Sequence, residues 1–206
     1  LGIYTLRERQ GENFSVVSDL PEGVSEKRFN QLPINLQKAL IHSDTAHTLI
    51  FDDYEINQWL PEIELLKNIR YLKIKGGLTQ LPDSISQLSK LEMLNLSMNE
   101  IGKLPTSFSQ LKNLRHLDLS FTELKQFPAE VLELPELRKL DVGHNPFTEI
   151  PSEISRLKHL IGLDLYGVQI DSLPDSMADM RQLTITAYPD FKDQFPEKFQ
   201  HLFVNK

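Results

Sequence analysis

Residues 91–113 read LEMLNLSMNEIGKLPTSFSQLKN, and the pattern within them, L-x-x-L-x-L-x-x-N-x-I-x-x-L-P-x-x-F-x-x-L-x-x, decides the fold. The same pattern restarts at Leu114, Leu137 and Leu160 with a spacing of 23 residues and no insertion or deletion. Outward from this block, a copy one residue shorter begins at Ile69 and a weaker one near Ala46, giving about six units. A unit this short cannot bury its own apolar face. A fixed period of this length therefore predicts a solenoid in which each unit is covered by its neighbours.

Two periodicities meet inside the unit. Leu94 and Leu96 alternate with Met93, Asn95 and Ser97, the period of a strand with one buried face. Pro105, Phe108 and Leu111 then fall at helical spacing, with proline where it can open a helical turn. Repetition of that order predicts an α/β architecture, with a parallel sheet on one side and short helices or 3₁₀ segments on the other. Strands lie about 4.8 Å apart while helices are about 10 Å across, so the stack curves with the sheet on its concave side.

Leu94, Leu96, Asn99, Ile101, Leu104, Pro105, Phe108 and Leu111 fill one unit position by position. The next two answer with Leu117, Leu119, Leu124, Phe127, Pro128, Val131 and Leu134, then with Leu140, Val142, Asn145, Phe147, Ile150, Pro151, Ile154 and Leu157. This unit resembles the leucine-rich repeat over residues 46–190, and its Leu-Pro step is similar to that of the intracellular Ras-binding group and its bacterial relatives. The resemblance implies a capped leucine-rich-repeat solenoid that recognises a protein or peptide through its concave sheet. It also implies that Asn99 and Asn145 bond backbone groups leaving the sheet; Thr122 can do part of that work, and Gly77, Val168 and Tyr54 cannot.

The expected organisation is an N-terminal cap over residues 1–45, repeats over 46–182 and a C-terminal cap over 183–206, because an open-ended stack must cover its terminal core. Residues 1–17 read as a hairpin broken at Gln10-Gly11-Glu12-Asn13. Phe29, Leu32, Leu36 and Leu40 fall on one helical face with Pro33 near its first turn. Phe191, Phe195, Phe199, Leu202 and Phe203 form an apolar cluster suited to closing the far end.

Composition bounds the function. The chain is 40% hydrophobic and 25% charged, ordinary usage for a folded protein, and it lacks cysteine. That absence removes any disulfide framework, thiolate metal site or cysteine nucleophile. Extracellular animal members of the family carry cysteine-rich caps, so the resemblance implies an intracellular or bacterial secreted setting. A chain opening at Leu1 is expected to have lost a leader or to be a piece of a longer protein. No apolar run approaches the ~20 residues of a membrane span. A net charge of −7 disfavours nucleic acid, which needs a basic footprint.

Side chains pointing out of the concave sheet are free of core duty, and two features stand out among them. Asp118, Asp141 and Asp164 hold one position in three successive strands, with Lys139 beside them to offset the repulsion expected between like charges. As a metal site this ladder is poor, because oxygen ligands for a cation are more numerous and closer packed. Met98, Phe121 and His144 share another position in adjacent units, with Tyr71, Met93 and Tyr166 nearby, a composition typical of an interface core. These residues, with His116, are the candidate partner-binding set.

His116, Asp118 and Ser120 alternate on one strand face, but a serine about 13 Å from the histidine, with aspartate between them, cannot be its nucleophile. His42, His47, His159 and His201 are scattered, and no phosphate-cradling glycine loop or paired zinc-binding histidines occur. The expectation is a recognition module without cofactor or catalytic activity, its partner a protein or peptide with a basic rim. The alternatives are the substrate-recognition region of a larger bacterial effector or ligase, and a homodimer.

Overall fold

The computed structural model describes residues 20–52 and 55–203. The hairpin expected in residues 1–17 lies outside them, as does Tyr54. Two short helices, α1 (Glu26–Phe29) and α2 (Ile34–Ile41), precede seven strands. These are β1 (Thr48–Phe51), β2 (Tyr71–Ile74), β3 (Met93–Asn95), β4 (His116–Asp118), β5 (Lys139–Asp141), β6 (Gly162–Asp164) and β7 (Thr184–Thr186). All pair in parallel in chain order, forming one open sheet. Between strands the chain returns through single 3₁₀ segments such as Thr106–Gln110 and Ser152–Arg156. The molecule is a leucine-rich-repeat solenoid, with the sheet on the concave side and the 3₁₀ row on the convex side.

The strand alternation sets the core. Leu72, Leu94, Leu117, Leu140, Leu163 and Ile185 stand in register across β2 to β7 and are all buried. Beneath them Ile85, Phe108, Val131, Ile154 and Met177 project inward from the 3₁₀ row and complete one continuous core. Pro82, Pro105, Pro128, Pro151 and Pro174 sit one residue earlier than a helix-opening position, which Pro61 of the first repeat takes. Pro105, for instance, is extended at φ −72° and ψ 150°, and its carbonyl accepts from the Phe108 amide at 2.9 Å. Its missing N–H is at no cost there.

Asn99 and Asn145 perform the backbone role expected of them. The Asn99 amide nitrogen donates to the carbonyls of Ile74 and Leu96 at 2.8 and 2.7 Å, and its Oδ1 accepts from the Leu78 amide at 2.9 Å. Asn145 donates to Leu119 and Val142 and accepts from Leu124. Thr122 supplies one bond, from its hydroxyl to the Leu119 carbonyl at 2.6 Å. Each of these polar groups is buried and would be expensive to leave unpaired.

Two expectations are corrected at the ends. The helical face from Phe29 to Leu40 is split into α1 and α2, because proline disfavours a helical residue before it and Pro33 takes the cap position instead. All four apolar residues of that face are nonetheless buried. An ion pair fixes the cap to the solenoid: Arg28 Nε and Nη2 meet Glu62 Oε1 and Oε2 at 2.5 and 3.0 Å. At the far end the sheet has one strand more than the six units expected. Strand β7 falls in the segment read as the C-terminal cap, hidden by a slip of one residue, since Leu163 pairs with Ile185 rather than with a residue 23 positions on. Phe191, Phe195, Phe199, Leu202 and Phe203 are buried beyond it, with the Phe191, Phe195 and Phe203 rings packed edge-on and stacked.

Candidate functional site

Register arranges the exposed side chains of the sheet in three rows. The first, at the strand starts, is Tyr71, Met93, His116, Lys139 and Gly162. The second is Asn95, Asp118, Asp141 and Asp164. The third, in the turns after the strands, is Gly76, Met98, Phe121, His144 and Gly167. Tyr71 and Met93 thus belong with His116 and Lys139 along a groove of about 410 Å³, across the acidic row from Met98, Phe121 and His144. In this first row His116 is held below its usual pKa by burial and by Lys139, Arg138 and Arg115.

The acidic row is tied into the fold. Asp118 Oδ1 accepts from the Ser120 amide and hydroxyl at 3.0 and 2.7 Å, and its Oδ2 accepts from Asn95 at 2.8 Å. Asp141 and Asp164 each accept from the amide two residues on, those of Gly143 and Tyr166, at 2.9 Å. The same Asx bond recurs at Asn95, which accepts from Ser97. These bonds offset the repulsion that Lys139 was expected to relieve; among the described residues Lys139 forms no ion pair with the ladder. The central carboxyl retains the strain. Burial, with Asp118 and Asp164 on either side, pushes Asp141 up to about 6 against the opposing Gly143 bond. The Ser120 hydroxyl is committed to Asp118 and not to His116, so this trio makes no nucleophile. Among the described residues no group of three or more His, Cys, Asp or Glu side chains is placed to hold a metal ion.

The third row is built differently. At its position the backbone turns into the left-handed region, where Gly76 and Gly167 sit at φ 80° and 75°. Met98, Phe121 and His144 occupy that region with full side chains, at φ 58°, 54° and 52°. Non-glycine residues there carry strain. The Phe121 and His144 rings join those of Tyr166 and Tyr188 in a continuous run of contacts. Phe121 and His144 lie face to face at 4.1 Å, His144 and Tyr166 are 5.7 Å apart, and Tyr166 and Tyr188 are 4.0 Å apart. Gly167 makes room for it, since a Cβ there would meet His144 Nδ1 at 2.5 Å. Phe121, Tyr166, Tyr188 and Met98 are 44, 41, 48 and 45% exposed, so this apolar row is presented to solvent rather than folded over the sheet edge.

Tyr188 is the member that sequence reasoning missed. In the slipped register of β6 and β7 it occupies the position of Tyr166, and recognition of the one-residue slip would have found it.

Comparison with known proteins agrees with this geometry. A leucine-rich repeat region model matches residues 50–142, and a leucine-rich repeat model matches residues 136–157. No curated protein matches the sequence. Among solved structures, a leucine-rich-repeat protein of Leptospira interrogans is 27% identical, with a TM-score of 0.56, over 72% of this chain and 44% of that one. The plant peptide hormone receptor RGFR1, in complex with RGF2, is 28% identical, with a TM-score of 0.54, over 63% of this chain and 22% of that one. An internalin of Listeria monocytogenes shares the fold at 18% identity and a TM-score of 0.58, over 70% of this chain and 42% of its own. The chain thus spans less than half the length of each. Its repeat pattern, its single parallel sheet backed by 3₁₀ turns and these matches together make it a leucine-rich-repeat protein.

Proposed function

We propose that this chain is a protein or peptide recognition module whose partner lies along the concave face, anchored on the aromatic row of Phe121, His144, Tyr166 and Tyr188. One observation carries the reading: Met98 and Phe121 stand exposed, and Phe121 and His144 stack, at a backbone position that suits glycine. Stability alone would favour glycine there. Exposed aromatics and methionines surrounded by charge are the composition of interface centres. The carboxylates of the second row, next to this anchor, call for a partner with a basic rim, which they would steer during encounter. A solved neighbour, RGFR1, is a peptide hormone receptor described in complex with RGF2, which supports a peptide as ligand.

Panning of a displayed random-peptide library tests the proposal. Enriched peptides should lose at least about tenfold in affinity on Phe121→Ala or Tyr166→Ala, since a hot spot is worth about 2 kcal/mol. Lys112→Glu, on the convex side, should leave binding intact. Binders indifferent to both aromatic substitutions and abolished by Lys112→Glu would place recognition on the convex row. Self-association of the chain that competes with those peptides would make a second copy the occupant.

A further inference from the structure

Beyond the last strands, the aromatic row opens into a cleft of about 610 Å³ between the turn after β6 and the 3₁₀ segment Pro189–Gln194. His144 and Tyr188 line it with ring surface, Phe191 contributes to its apolar wall, and Asp171 and Asp190 bring two carboxylates. No lysine or arginine lines it, and neither aspartate forms an ion pair among the described residues. Its volume is that of pockets which hold small ligands or a few side chains.

We infer that this cleft is a socket for an arginine side chain of the recognised peptide, its guanidinium laid against the Tyr188 ring and hydrogen-bonded to Asp171 and Asp190. The inference rests on the recognition role proposed above. A cation is favoured on two counts: the Tyr188 ring carries a negative quadrupole on its face, and neither carboxylate has an ion-pair partner among the described residues. Arginine fits better than lysine, because a planar guanidinium stacks on a ring while its N–H groups remain free to bond carboxylates at its edge. A metal ion fits worse than either, since no group of three ligating side chains converges among the described residues.

N-acetyl-arginine amide is the probe, titrated into the protein while the ring-proton resonances of His144, Tyr166 and Tyr188 are followed by NMR, with N-acetyl-lysine and N-acetyl-glutamine amides in parallel. The arginine compound should give saturable shifts at Tyr188, the lysine compound weaker ones and the glutamine compound none. In Asp171→Asn/Asp190→Asn, which keeps the rings and the fold, affinity should fall at least about fivefold, consistent with the loss of two charge-assisted hydrogen bonds. Equal shifts from arginine and glutamine compounds, or unchanged affinity in the double variant, would overturn the inference. If that happened while library peptides still depended on Phe121 and Tyr166, the recognition role would stand without its arginine socket. If those peptides were also indifferent, both would fall.

Discussion

Phe121 places a phenyl ring on a backbone turned to φ 54°, where a side chain costs about 1 kcal/mol relative to glycine. Two substitutions separate that strain from the ring. Phe121→Gly and Phe121→Ala both delete the stack with His144, but only glycine relaxes the backbone. Urea denaturation should therefore find the glycine variant more stable than the alanine variant by about 1 kcal/mol, the reverse of their order in an ordinary strand or helix. Equal stabilities, or a more stable alanine variant, would show that this turn is unstrained.

Asp141 makes a second claim at the same scale. Its folded-state pKa of about 6 lies above that of an aspartate in the unfolded chain, ~3.9, so between those values the native protein binds more protons. Stability contributed by this group accordingly falls as pH rises from about 4 to about 6, and remains lower above. Asn at position 141 keeps an oxygen to accept from Gly143 and removes the charge. Asp141→Asn should be more stable than the parent at pH 7.5 by about 1 kcal/mol, after discounting for solvent screening of a half-buried group, and nearly equal to it at pH 4. An identical gain at both pH values, measured by thermal unfolding, would contradict the raised pKa that burial and the neighbouring carboxylates give Asp141.

At the scale of the element, each strand is only three or four residues long, and each of the three-residue strands β3 to β7 buries a single leucine or isoleucine. That makes the register testable. Leu140 and Leu163 are 1% exposed, and alanine at either should lower unfolding free energy by about 2–5 kcal/mol, as cavities in a packed core do. A loss below half of the lower figure for both would contradict the register. The strands from Met93 to Asp164 were legible in sequence because strand and turn periods alternate without slippage there. Strand β7 was not, since the one-residue slip, which also separates β2 from β3, is joined there by Gln182 and Ala187 at positions that hold leucine in the preceding unit. Pro33 was misplaced for a different reason: its spacing fits a helix, and only the steric limits of proline divide that helix in two. Aspartates of the ladder were visible in sequence, but their bonds to the amides two residues on were not, because those depend on how the chain leaves each strand.

For the whole molecule, a solenoid gives every unit the same two neighbours, so a repeated residue becomes a row. Single exposed side chains of modest meaning thus add up to a surface: the Tyr71 row, the acidic row and the strained aromatic row run side by side across the sheet. Sequence alone could place the candidates on this face, since the period fixes their positions. It could not divide them into three rows with separate environments, nor show that Phe121, His144, Tyr166 and Tyr188 stack as one strip. No helix among the described residues is long and apolar enough to cross a membrane. The central claim is that this strip is where a partner is held, and its most direct test is a residue-by-residue map of the bound protein. With a peptide from the library panning added to isotope-labelled protein, amide and ring resonances of Phe121, His144, Tyr166 and Tyr188 should shift most, flanked by Asp118 and Asp164. Shifts confined to the 3₁₀ row, around Lys112, Glu133 and Arg156, with the aromatic strip unchanged, would contradict it.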